Sequence, residues 1–236
     1  MTPRPAPAAP AAASNTLSLS DVDTWLFDLD NTLYPADANL FALIDRKMGA
    51  FIAEELGVDA VEARRIQKDF FHRHGTTLRG LMDEHGVDPR HFLDFVHDIE
   101  MTALSEDARV QRGIEALPGR KLVFTNGDET YARRVLDRLG LHRHFEAVYD
   151  IHAMDYRPKP NPAVYEHICE THGITPSRAV FIEDMARNLR PAKAMGMRTI
   201  WINNGSESAA YEADMDAVDL VIEDLGAWLH SLELAT

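Results

Sequence analysis

From residue 119 onward the chain alternates short apolar runs with helical stretches, most of which stop at a glycine. Residues 121–125 read as a strand, 129–139 as a helix closed by Gly140, and 145–151 as a strand. Residues 162–172 read as a helix up to Gly173, 179–182 as a strand, 188–195 as a helix to Gly196 and 199–202 as a strand. A last strand at 220–222 and helix at 225–234 complete the series. Parallel strands need long crossovers, and a helix between successive strands supplies them. The predicted fold is therefore α/β: a Rossmann-like three-layer core with a mainly parallel sheet and helices on both faces.

One more apolar run, Trp25-Leu26-Phe27, ends abruptly in Asp28 and Asp30, one residue apart, followed by Asn31 and Thr32. In open α/β sheets the carboxyl edge of the strands is where ligands bind. Two carboxylates delivered there repel each other, and a divalent cation, a shared proton or both must compensate. Further polar groups follow the other strands: Thr125-Asn126-Gly127-Asp128, then Arg157-Pro158-Lys159-Pro160-Asn161-Pro162, then Glu183-Asp184. A hydroxyl and an amide can donate to phosphate oxygens, a lysine can neutralise developing charge, and carboxylates can hold a hard cation. The prolines on either side of Lys159 restrict its backbone and help to aim it. No Walker-type glycine loop and no Gly-x-Gly-x-x-Gly element is present.

Between the acid pair and residue 105 the pattern is helical. Leu40, Ile44, Met48, Phe51, Ile52 and Leu56 recur at three- and four-residue steps until Gly57. Asp59 with Glu62 reads as a capping box, and Asp88-Pro89 as an N-cap with proline at the first helical position. The expected organisation is a helical cap at 36–105 inserted into a core made of 19–35 and 106–236. Residues 1–18, rich in Ala and Pro, read as a disordered tail, because prolines at 3, 5, 7 and 10 interrupt any signal-like apolar core. The formal charge of −14 argues against nucleic acid or an anionic membrane as partner. The single cysteine, Cys169, fits a reducing cytoplasm, and no apolar stretch approaches transmembrane length.

The acid pair Asp28/Asp30, Thr125, Lys159 and Glu183/Asp184, in that order and each near a strand end, resemble the haloacid dehalogenase (HAD) superfamily of aspartate-nucleophile hydrolases over residues 25–202. Within it, Phe27-Asp28-Leu29-Asp30-Asn31-Thr32-Leu33-Tyr34-Pro35 and the segment 70–81 are similar to the pyrimidine 5′-nucleotidase group. The resemblance implies a Mg²⁺-dependent phosphomonoester hydrolase acting on a small phosphate ester, with pyrimidine nucleoside 5′-monophosphates expected. It implies Asp28 as nucleophile and Asp30 as acid and base. Thr125, with Asn126, and Lys159 would bind the transferring group. Asp28, the backbone carbonyl of Asp30 and Asp184 would hold the metal, with Glu183 further out. Family dehalogenases generally lack the second carboxylate, so Asp30 favours phosphate chemistry.

Pyridoxal phosphate or a sugar phosphate, a phosphomutase, and a non-catalytic receiver-like phosphoacceptor are the alternatives. Tyr34, Thr77 and Arg79 are candidates for contacting the substrate's leaving group, against the plainer reading that Arg79 pairs with Asp83. Asn188 is expected to cap the helix it precedes. His72/His74, His142/His144 and the set His167, Cys169 and His172 read as solvated or diverging groups, not as a zinc site.

Overall fold

A computed structural model of the protein describes residues 17–205 and 207–233. The expected tail therefore lies outside the described residues except for its last two positions. Six strands form one sheet: β1 (Thr24–Phe27), β2 (Arg120–Phe124), β3 (Ala147–Tyr149), β4 (Ala179–Glu183), β5 (Arg198–Ile202) and β6 (Leu220–Ile222). Their order is β3-β2-β1-β4-β5-β6, and every pairing is parallel. All residues of β1 and β4 are buried. Since successive strand residues point to opposite faces, the middle of the sheet is covered on both sides.

The helices described are α1 (Leu40–Leu56), α2 (Ala60–His74), α3 (Thr77–His85), α4 (Pro89–His97), α5 (Ala108–Ala116), α6 (Glu129–Arg138), α7 (Pro162–His172), α8 (Leu189–Ala194), α9 (Glu207–Ala210) and α10 (Leu225–Glu233). From β1 the chain builds β2 and β3 on one side, then crosses back to β4 on the other. The first strand therefore ends at the topological switch point, where parallel sheets open a crevice.

Between β1 and α5 the described chain forms α1 to α4, a short 3₁₀ turn at Ala36–Ala38 and no strand. Apolar residues of α1 and α4 interlock there, with Phe51 edge-on to Phe92 at 5.1 Å between ring centres. Asp59 caps α2 by accepting from the backbone N–H groups of Val61 and Glu62, both at 2.9 Å. The expected return bond of the capping box is replaced by a Glu62 ion pair with Arg65, which offers two donors one turn away. Asp88 and Pro89 start α4 as expected.

Two expectations along the core need correction. The strand expected at 145–151 shortens to Ala147–Tyr149, preceded by a 3₁₀ turn at His142–His144. Asp150 accepts from the N–H groups of Glu129 and Ala153, and Ile151 N–H donates to Gly127, so the chain turns away from the sheet. The helix expected from residue 188 begins as a 3₁₀ turn at Ala186–Asn188, and Asn188 makes no capping bond. Its amide instead donates to the Glu183 carboxylate at 3.0 Å.

Gly119 sets the entry to β2. Its φ is +79°, and a Cβ there would lie 2.2 Å from the carbonyl oxygen of Asp23, which also accepts the Arg120 N–H. A side chain would meet both the left-handed backbone penalty of about 1–2 kcal/mol and an overpacking cost of about 1–3 kcal/mol. Gly119→Ala should therefore destabilise the fold by roughly 2–5 kcal/mol, lowering the melting temperature by roughly 5–20 °C. An unchanged thermal midpoint by circular dichroism would contradict this account of the β1–β2 entry.

Candidate active site

The switch point carries the acid pair. Asp28 N–H makes the last bond of the β1–β4 ladder, to Ile182 at 2.9 Å, which fixes the backbone immediately before its side chain leaves the sheet. Lys159 reaches the same place from the loop before α7 and is 1% exposed. Its ammonium donates to Asp28 Oδ1 at 2.7 Å, Glu183 Oε2 at 2.7 Å and the Phe124 carbonyl at 2.8 Å. Three N–H groups thus meet three acceptors, the complete set for an ammonium. The rings of Phe124 and Phe181 also face this cation, at 5.1 and 5.3 Å.

Asp184 completes the group: ligand oxygens of Asp28, Glu183 and Asp184 all lie within 4.8 Å of one another, and all three residues are buried. Against one ammonium, the three carboxylates leave a formal charge of −2. Desolvation first, then mutual repulsion, raises Glu183 to about 7 and Asp184 well above the ordinary carboxylate range. Burial alone would push Lys159 down, but the charges of Asp28 and Glu183 override it and raise it. A hard divalent cation fits this site, because its donors are oxygens and its charge deficit is two. Both Glu183 oxygens are already engaged, one by Lys159 and the other by Asn188 and the Met185 N–H. Asp184 Oδ2 takes a side-chain N–H of Asn204 at 3.1 Å.

Asp30 is held differently. The hydroxyls of Tyr34 and Tyr131 both donate to its Oδ1, each at 2.6 Å. Desolvation, followed by the charge of Asp28, raises Asp30 above the usual range; the tyrosine bonds oppose this without cancelling it. Tyr131 stacks flat on His97 of α4, and His97 Nδ1 bonds to Asp128 Oδ2. Burial would raise Asp128, but the bond and charge of His97 more than offset it and hold the carboxyl low.

The sequence-predicted residues sort into three groups. Asp28, Lys159, Glu183 and Asp184 share one cluster, with Asp30 two residues along the chain from Asp28. Thr125 is buried at the end of β2 and its hydroxyl oxygen accepts the Gly127 N–H, which leaves its proton to donate elsewhere. Asn126 was expected beside it on the phosphate but spends its amide on Lys159, accepting the Lys159 N–H at 2.9 Å and donating to its carbonyl at 3.5 Å. Tyr34 is buried, and its hydroxyl donates to Asp30. Thr77 is buried within the helical insertion, bonded to the Gln67 carbonyl at 3.5 Å. Arg79 makes the plainer pairing, two bonds to Asp83 at 2.9 and 2.5 Å. It nevertheless lines a cleft of about 460 Å³ with His74, Asp83, Arg157 and Lys159. Among the histidines, His74 pairs with Asp83 and Glu84, His142 with Asp137, and His167 with Tyr149.

Tyr131, His97 and Asn204 carried no role in the sequence reading. Asp128, as a helix-capping acid three residues before Tyr131, is the one local signal that could have drawn attention to that region.

The haloacid dehalogenase-like hydrolase profile matches residues 22–196, about three quarters of the chain. The chain belongs to the haloacid dehalogenase-like hydrolases. Among its relatives, Phosphate metabolism protein 8 of Saccharomyces cerevisiae is 27% identical over 189 residues, covering 73% of this chain but only 59% of the yeast protein. The N-acylneuraminate-9-phosphatase of Rattus norvegicus is 24% identical over 212 residues, covering 79% of this chain and 85% of the rat protein. A crystal structure of a HAD phosphatase from Thermococcus onnurineus superposes with a TM-score of 0.60 at 22% identity, covering 89% of this chain and 98% of that one. That structural likeness shows the shared fold. Among the described residues, no helix is long and apolar enough to cross a membrane.

The raised carboxylates give a signed expectation. Folded protein without a cation holds protons on this HAD cluster that the unfolded chain would release, so its stability falls as pH rises towards and past about 7. A cation needs deprotonated ligands, so it helps most where those protons are lost. Mg²⁺ should therefore raise the melting temperature by several degrees at about pH 8 and by little at about pH 5. Thermal scans with Mg²⁺ or EDTA check this; an equal gain at both pH values would contradict it.

Proposed function

We propose that the protein is a Mg²⁺-dependent phosphomonoester hydrolase. The observation that carries this reading is the buried Lys159 ammonium bridging Asp28 and Glu183 beside Asp184, with a second, raised carboxyl two residues on. Mg²⁺, held by Asp28, Asp184 and the Asp30 backbone carbonyl with Glu183 further out, would neutralise the phosphate and the acids that face it. Residues 36–105 serve as the cap over residues 19–35 and 106–236, and the cleft lined by Arg79 and Arg157 is the way in.

Asp28 attacks phosphorus: its oxygen forms a bond as the ester P–O bond breaks, giving a transient aspartyl-phosphate. The departing alkoxide takes the proton of Asp30. Asp30 then receives a proton from water, whose oxygen attacks phosphorus, releasing phosphate and restoring Asp28. Lys159 offsets charge beside the nucleophile, and the Thr125 hydroxyl donates to a phosphate oxygen. Asn126 contributes by fixing the Lys159 backbone.

The substrate we assign is a pyrimidine nucleoside 5′-monophosphate. Segment 70–81 supports it by resemblance, and Arg79 and Arg157 place two guanidinium groups at the cleft, suited to polar parts of a nucleotide beyond the phosphate. A receiver-like phosphoacceptor would share the aspartate, hydroxyl and lysine; Asp30 argues for turnover, because it can activate water against a phosphoaspartate.

With p-nitrophenyl phosphate and Mg²⁺, purified protein should release p-nitrophenol continuously, and EDTA should abolish release. Asp28→Ala should remove detectable turnover, whereas a single equivalent from the unaltered protein would point to the receiver. In a panel of phosphate esters, UMP and CMP should exceed purine nucleotides, pyridoxal phosphate and sugar phosphates in kcat/KM. Arg79→Ala should lower that value for nucleotides by about 10–150-fold, in line with loss of one charge-assisted hydrogen bond, and leave p-nitrophenyl phosphate nearly unaffected. Equal losses on both would remove Arg79 from substrate recognition.

A further inference from the structure

We propose that Tyr131 and Tyr34 are positioning residues that clamp Asp30 through one carboxyl oxygen, Oδ1, and so reserve Oδ2 for proton transfer. The inference rests on the acid and base role assigned to Asp30 above. It goes beyond that role by naming what orients the acid and which oxygen carries the proton.

A carboxyl terminating a short side chain rotates readily, and its two oxygens are chemically equivalent until something distinguishes them. Here both hydroxyls converge on Oδ1 at 2.6 Å, with the two phenol oxygens 3.5 Å apart. A carboxyl oxygen has two lone pairs in its plane, so two donors fill Oδ1 and exclude a proton from it. Among the described residues, Oδ2 carries no protein hydrogen bond. The acid proton therefore resides on Oδ2, and that is the oxygen that gives it to the leaving group.

The clamp is itself anchored. Both tyrosines are buried, 1% and 2% exposed, and each hydroxyl finds its partner within the protein. Tyr131 is held at three points. Its backbone N–H donates to the Asp128 carboxylate at 2.8 Å, its ring stacks on His97 at 4.3 Å with a 9° tilt, and its hydroxyl meets Asp30. His97 is in turn bonded to that same Asp128. Arg134, one turn along α6, fixes the end of α4 by donating to the carbonyls of His97 and Ile99, both at 2.9 Å. Tyr34 lies on the connection into the helical insertion, and His97 ends the last helix of that insertion. Both chain connections of the insertion thus contribute to holding one carboxyl group.

A carboxyl that gives its proton to a poor leaving group must be aimed; one facing a good leaving group need not be. The test uses Tyr131→Phe, Tyr34→Phe and the double variant, with kcat/KM measured in Mg²⁺ on p-nitrophenyl phosphate and on an alkyl phosphomonoester. General acid catalysis is worth about 10²–10⁴-fold. The double variant should therefore lose about 10–100-fold in kcat/KM on the alkyl ester and less than about threefold on p-nitrophenyl phosphate. The single variants should fall between. If the double variant proves unstable in thermal scans, the two single variants, each keeping one donor, carry the same comparison. Equal losses on both esters, or none on either, would overturn the clamp while leaving the hydrolase reading intact. A wild-type protein that turns over neither ester would overturn the hydrolase reading, and the clamp with it.

Discussion

Three carboxylates and one ammonium, all buried within a few ångströms at the end of the central strand, set the terms for the rest of the molecule. Isolated, each of these charges would be costly to bury. Together they are tolerable because Lys159 satisfies two of them directly and because protons or a cation can take up the remaining charge. The surrounding structure serves that arrangement. Asn126 grips the backbone of Lys159 from both sides, Asn188 and the Met185 N–H hold Glu183, and Thr32 donates to Asp28 at 3.2 Å. These bonds keep the carboxylates apart from one another as much as they keep them in place.

The position of this cluster follows from topology. With β1 between β2 and β4, the ends of three adjacent parallel strands meet where the chain reverses its order of addition to the sheet. Parallel strands all finish at one edge, so residues far apart in sequence are delivered to a common line without any need for long side chains. Lys159 is the exception, since it comes from a loop and must extend inward through Phe124 and Phe181. The aromatic walls exclude water from the ammonium and so strengthen its pull on both carboxylates.

The parallel sheet and the run of helices between β1 and α5 were readable in the sequence because their signals are local. Periodicity, a glycine stop or an Asp-Pro start involves neighbours in the chain, and α7 matches its expected bounds for that reason. That Asp28, Glu183 and Asp184 would gather at one edge was readable by the same logic of alternation, because each closes a parallel strand. What escaped is set by distance along the chain. Tyr131 lies 101 residues from the carboxyl it touches, and nothing near it announces the contact. Asn126 and Asn188 were visible as polar residues in the right places, but their true partners, Lys159 and Glu183, could be chosen only once the strands were side by side. The shortening of β3 has a similar origin: Asp150 finds donors at Glu129 and Ala153, and the turn this creates outcompetes continued pairing at a sheet edge.

Polar anchors attach the helical insertion to the sheet edge. Arg187, 5% exposed and four residues beyond Glu183, lies 4.5 Å from the ring centre of Phe71 and 5.4 Å from that of Tyr211. It donates to the Gly75 carbonyl at 3.0 Å, in the turn between α2 and α3. Arg134 performs the matching task at the end of α4. A purely apolar seam would allow sliding, because dispersion has little directional preference. Guanidinium-to-carbonyl bonds do not, since each donor must meet one acceptor in one direction. The insertion is therefore indexed to the core at two separate turns, one beside the segment that lines the cleft and one beside the tyrosine that holds Asp30. These two contacts hold the insertion against the sheet edge that gathers Asp28, Asp30 and Lys159.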